Sequence, residues 1–92
     1  MPCANARHIL VDTEEECLKL KTEIENGADF AETAKLNSAC PSRMRGGDLG
    51  TFAQGQMVPE FDQVVFSGDL NKVLGPVKTD FGYHLIEITK RW

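Results

Sequence analysis

The stretch that decides the fold is Gly46-Gly47-Asp48-Leu49-Gly50-Thr51-Phe52, continuing after Ala53 through Gln54-Gly55-Gln56-Met57-Val58-Pro59-Glu60-Phe61. Four glycines fall within ten positions, and large apolar side chains punctuate the same run. Glycine reaches backbone conformations that other residues avoid and lets chains approach closely, at an entropic cost on folding. Meeting that cost four times in one short run indicates that the segment shapes a surface. The expected surface is a shallow apolar groove with Leu49, Met57 and Phe61 in its wall.

Upstream of this run, Pro41 disfavours helical geometry at Cys40, so a preceding helix should end near Ser38. That helix opens at Asp29, with Glu32 three residues on, and carries Phe30, Ala31 and Ala34. An earlier helix starts from Thr13 and Glu16, which read as a capping box. Its Cys17, Leu20 and Ile24 recur at helical spacing, Glu15 and Lys19 form a favourable i,i+4 pair, and Asn26-Gly27 stops it. Arg7-His8-Ile9-Leu10-Val11 suits a strand buried on both faces. Downstream, Pro59 fits the first turn of a third helix, with Phe61, Val64 and Val65 facing the core and Gly68 as its C-terminal cap. Gly75-Pro76 starts an extended piece, Val77-Lys78-Thr79. After a turn at Asp80-Phe81-Gly82 comes a final strand, Tyr83 to Thr89. The order β-α-α-β-α-β-β predicts an α+β domain with helices around one small, largely antiparallel sheet.

With 92 residues, one domain over 1–92 is expected, with a modest core and no deep chamber. A net charge of -4 and a pI near 5.0 argue against nucleic acid or an anionic membrane as partner. Arg43 and Arg45 make a local basic spot beside the glycines, readable as a solvated turn. The apolar segments are too short to span a bilayer, and no signal peptide is evident. Cys3, Cys17 and Cys40 are odd in number and form no close pair, which fits a reducing compartment, the cytoplasm.

Both histidines fall in expected strands. Alternation places His8 with Leu10 on one face and His84 with Ile86 and Ile88 on one face. In neighbouring strands the two imidazoles could hydrogen-bond to each other, with Thr79 as a third polar group. Such a chain is equally compatible with a purely structural pair that fixes strand register. A zinc site of His8, His84 and Cys40 is the first chemical alternative, but no two of these share a local ligand spacing, so no metal is expected. A Cys–His nucleophile is the second, weakened by the proline after Cys40 and the lack of an oxyanion-hole motif. Leu49, Met57, Phe61 and Phe81 read either as plain core or as a binding groove.

Taken together, Cys40-Pro41-Ser42, Gly46 to Gly50, Met57-Val58-Pro59-Glu60-Phe61, Gly75 to Thr79, Phe81 to Ile86 and Arg7 to Val11 resemble the parvulin peptidyl-prolyl isomerases. The likeness runs from about residue 6 to the end, in the expected order, and is similar to the small stand-alone bacterial parvulins. It implies the parvulin (FKBP-like) fold, a four-stranded antiparallel sheet surrounded by helices. It also implies a monomeric isomerase of Xaa-Pro bonds that needs no cofactor, acts on proline-containing peptides and unfolded chains, and assists folding. By the same resemblance, Leu49, Met57 and Phe61 match the pocket for the proline ring. His8, His84 and Thr79 match a hydrogen-bonded set, Cys40 a position near the isomerising bond, and Phe81 a site bordering the substrate. A non-catalytic peptide-binding module is the alternative. The segment Ser67 to Leu74 follows the family only loosely. Phospho-directed members carry a basic loop after the first strand, whereas here Asp12-Thr13-Glu14-Glu15-Glu16 is acidic. That difference predicts apolar or neutral residues before proline rather than phosphorylated ones.

Overall fold

The centre of the molecule is a pair of long antiparallel strands, β1 (Cys3–Val11) and β4 (Gly82–Arg91). The structure, a computed structural model, describes residues 2–92. Between the two strands the chain forms α1 (Glu14–Glu25), α2 (Phe30–Asn37), a 3-10 turn (Pro41–Arg45), β2 (Asp48–Ala53), α3 (Pro59–Val65) and β3 (Val73–Thr79). The sheet order is β2-β1-β4-β3, with every neighbouring pair antiparallel. This is the α+β, four-stranded antiparallel architecture expected from the sequence.

Strand alternation divides the core in two. On one face, Ala4, Ala6, Ile86 and Ile88 pack with Phe52 and with Phe61 and Val65 of α3. The two alanines keep the centre of that face low, leaving space for the phenyl rings. On the other face, Ile9, Val11 and Leu85 pack with Cys17 and Leu20 of α1 and with Phe30 and Ala34 of α2. From His8 onward β1 is therefore enclosed on both sides. Burial pushes the Cys17 thiol up to about 11, which leaves it a neutral core residue.

Local chemistry sets the helix ends. Thr13 Oγ1 accepts from the Glu16 N–H at 3.2 Å, and Asp29 Oδ2 accepts from the Glu32 N–H at 2.9 Å. α2 stops where Ser38 turns extended, with φ -72° and ψ 136°. Three details depart from expectation. Pro41–Arg45 is a regular 3-10 turn where only a solvated turn at Arg43 and Arg45 was expected. Two strands run further than expected, because β3 continues back through Gly75-Pro76 to Val73 and β4 on to Arg91. The cap of α3 is Phe66, not Gly68; a Cβ at position 68 would lie 2.5 Å from Leu74 Cδ1 and 2.8 Å from Val64 O, so close approach is what requires glycine there.

The glycine-rich run does shape a surface. Gly46, Gly47, Gly50 and Gly55 all take positive φ, between 68° and 91°. Gly47 is the decisive one: its carbonyl accepts from the His8 N–H at 3.0 Å, and a Cβ would sit 2.3 Å from His8 O. Only glycine lets the chain hug β1 at His8 and still enter β2.

Candidate active site

An apolar groove of about 350 Å³ opens on the face that carries α3. Its floor is His8 and Leu10 from β1 and His84 from β4. One wall is Leu49 of β2 with Met57, Val58 and Phe61 from the approach to α3 and its first turn. The other side is Ala39, Cys40 and Pro41, with Phe81 from the β3–β4 turn. Phe81 is 69% exposed, so it forms rim rather than floor.

Each wall is held by the backbone. Ser38 is buried, and its Oγ accepts from the N–H groups of Leu10 (3.0 Å) and Cys40 (3.3 Å). The Ala39 N–H donates to Leu10 O at 2.7 Å, so residues 38–40 run along the end of β1 and seat Cys40 beside the groove. Opposite, Asp62 Oδ1 accepts from the Gly55 N–H at 2.7 Å and fixes the loop that presents Met57. Arg91 Nη1 donates to Val65 O (3.0 Å) and Gly68 O (2.8 Å), capping α3 from the far end of β4.

The imidazoles of His8 and His84 meet inside, with their Nδ1 atoms 3.1 Å apart and their rings near-parallel at 17°. Phe61 stands edge-on to both, at centroid distances of 5.6 and 5.5 Å. Thr79 Oγ1 accepts from the Phe81 N–H at 3.2 Å, leaving its own O–H to donate to His84 Nε2 at 2.8 Å. An accepting imidazole nitrogen carries no hydrogen, so His84 holds its hydrogen on Nδ1 and donates to His8 Nδ1. His8 then carries its hydrogen on Nε2, a buried N–H without a partner among the described residues. The reverse sense would leave two groups unpaired, the Thr79 hydroxyl hydrogen and His8 Nε2, and is the poorer solution. Burial, then the neighbouring His84, lowers His8 from its ordinary 6.5 to about 4, and burial also lowers His84. Both rings are therefore neutral near pH 7.

Seven of the eight candidate residues line the groove: His8, Cys40, Leu49, Met57, Phe61, Phe81 and His84. Thr79 is buried behind His84 and reaches the groove only through it. Sequence reasoning missed Leu10, Val58 and Ser38. Leu10 was available from alternation, since it shares a strand face with His8. Ser38 gave no signal beyond the end of a helix, because the bond that ties it to the sheet comes from the Leu10 N–H, far away in sequence.

The chain matches the family described as the PPIC-type PPIASE domain over residues 2–92. It is 44% identical over 91 residues to the foldase protein PrsA of Geobacillus sp. (strain WCH70), covering 98% of this chain and 33% of that protein. A crystal structure of the peptidylprolyl isomerase PrsA from Bacillus anthracis superposes with a TM-score of 0.96 at 38% identity, over 99% of this chain and 42% of that one. NmPin, the parvulin of Nitrosopumilus maritimus, superposes with a TM-score of 0.87 at 32% identity, over 98% of both chains. The chain thus spans about a third of the length of the curated relative it matches, and nearly the whole of a small parvulin. With the fold, the groove and the match over residues 2–92 in agreement, the chain belongs to the parvulin family of peptidyl-prolyl cis/trans isomerases.

Proposed function

We infer that this domain accelerates cis/trans isomerisation of Xaa-Pro bonds in polypeptides, and that the groove of Leu49, Met57 and Phe61 grips the proline ring. The observation that carries this reading is a shallow apolar groove walled by those three side chains, with Cys40 on its opposite side and neutral imidazoles in its floor. Twisting an Xaa-Pro bond breaks amide resonance, against a barrier of roughly 20 kcal/mol. The twisted amide is less polarised than the planar one, so transfer from water to an apolar wall favours it. Holding the ring while the preceding carbonyl rotates directs binding energy to the transition state. No covalent bond is made or broken, and no cofactor enters the reaction.

Cys40 then borders the rotating carbonyl, while Thr79, His84 and His8 keep the floor rigid and uncharged. Phe81 flanks the residue before proline. Val11 pairs with Tyr83, so Asp12 leaves the sheet beside the Asp80–Gly82 turn that carries Phe81. Two exposed carboxylates at that rim oppose a phosphate or acidic side chain and leave apolar or neutral residues preferred. The foldase relative supports a role in assisting folding, and an odd cysteine count with no closely spaced pair fits a monomer working in a reducing compartment such as the cytoplasm.

The test is exchange NMR on peptides Xaa-Pro with Xaa as Leu, Ala, Gln, Glu or phosphoserine. Fastest catalysed exchange is expected for Leu, Ala or Gln. Fastest exchange for Glu or phosphoserine would refute the preference. Shifted protein resonances without faster exchange would make the domain a peptide-binding module instead.

A further inference from the structure

Pro41 lines the groove, and the 3-10 turn it opens continues through Arg43, Met44 and Arg45. Met44 is 81% exposed, more than any other large apolar side chain among the described residues. Arg43 and Arg45 are exposed on either side of it and make no ion pair among the described residues. The turn itself is fixed: Ser42 and Gly46 are buried, the Gly46 N–H donates to Arg43 O at 3.0 Å, and the Gly47 N–H donates to Ser42 O at 2.9 Å. A rise of about 2 Å per residue puts Met44 only about 6 Å beyond the groove rim at Pro41.

The turn starts where Ala39 bonds to Leu10 and ends where Gly47 bonds to His8, so it runs back along β1, away from Asp12. The surroundings of the groove are consequently polarised, with exposed Asp12 and Asp80 beyond its Leu10 end and Arg43 and Arg45 in the opposite direction, Arg45 sharing a small cavity with Asp48. On a chain of net charge -4, this cationic, apolar strip continuous with the groove is complementary to an acidic segment.

We propose that Arg43, Met44 and Arg45 form a second contact surface for the polypeptide held in the groove. It takes one flanking arm of that polypeptide, carrying a carboxylate next to an apolar side chain. At about 3.3 Å per extended residue, the carboxylate lies about two to four residues from the proline. The proposal rests on the isomerase reading of the groove.

The test uses three peptides with one Leu-Pro core: uncharged, with Glu on the arm before the core, and with Glu on the arm after proline. One of the two Glu peptides is expected to bind about two- to fivefold tighter than the uncharged one, as for exposed ion pairs, with the gain fading at high salt. That gain should vanish in Arg43→Gln/Arg45→Gln and reverse in Arg43→Glu/Arg45→Glu. Equal affinity for all three peptides, or a gain that survives in both variants, overturns the proposal. The uncharged peptide separates the two readings. Its exchange should be accelerated by wild type and variants alike, and no acceleration by wild type would sink the isomerase reading and this inference with it.

Discussion

Thr79 illustrates how much rests on single hydrogen bonds. Its hydroxyl takes one hydrogen bond from the Phe81 backbone and gives one to His84, which orders both imidazoles behind the groove. Thr79→Val keeps the shape but removes both, leaving His84 Nε2 buried without a donor. A buried acceptor left unpaired costs about 1–3 kcal/mol, and the histidines lose the device that selects one tautomer. Thr79→Ser retains the hydroxyl and should keep both. Thermal melts together with side-chain 15N spectra of the two imidazoles check this. Wild type and Thr79→Ser should show His84 protonated at Nδ1 and His8 at Nε2, and Thr79→Val a mixture. The histidine pair itself was readable from strand alternation, because period two fixes which side chains share a face. Its direction was not, because that depends on the Phe81 N–H, which only the folded turn brings to Thr79.

At the level of elements, features encoded locally were readable and features encoded by pairing were not. Thr13, Asp29, Gly27 and Pro59 act within one helical turn of themselves, and each marks a helix end where expected. The first half of β1, Cys3 to Ala6, has small and polar residues without β-branching; it is a strand because β2 and β4 pair with it on either side. β3 likewise crosses Gly75-Pro76 by a register shift that only its pairing with β4 defines. The groove came from both sources: the glycines announced it, while the partners that hold its walls, Ser38, Asp62 and Arg91, were silent. Gly47 is the sharpest test at this scale. Gly47→Ala must place a Cβ 2.3 Å from His8 O at φ +86°, so β1 and the entry to β2 cannot both keep their places. Urea unfolding should show a loss of more than about 1 kcal/mol, with groove binding impaired even where the variant is folded. Unchanged stability would mean that this approach is not what positions the groove.

For the whole molecule, the buried histidines tie stability to pH. A folded-state value of about 4 for His8 lies below the 6.5 of the unfolded chain. Between these values the unfolded chain binds more protons, so stability is full above about pH 6.5 and falls as the pH drops toward 4. Burial lowers His84 as well, in the same direction. His8 alone accounts for a loss of roughly 3 kcal/mol across that window. Thermal melts from pH 7.5 to 4.5 should show a falling midpoint, and His8→Asn, though less stable at neutral pH, should show a shallower fall. A slope equal to that of wild type would place the titrating groups elsewhere. In the folded domain the His8 ring stays neutral down to about pH 4, so activity should hold across this window for as long as the domain stays folded.

The role proposed for the groove is to speed the rotation itself. Cis/trans exchange by NMR on a short Leu-Pro peptide tests it, with catalytic amounts of wild type and of Met57→Trp, a half-buried position where indole fills the space proposed for the proline ring. Wild type should accelerate exchange, and Met57→Trp, with its melt showing a folded domain, should reduce the acceleration by at least about tenfold, equivalent to about 1.4 kcal/mol of transition-state stabilisation. Equal acceleration by both proteins would mean that isomerisation takes place outside the groove.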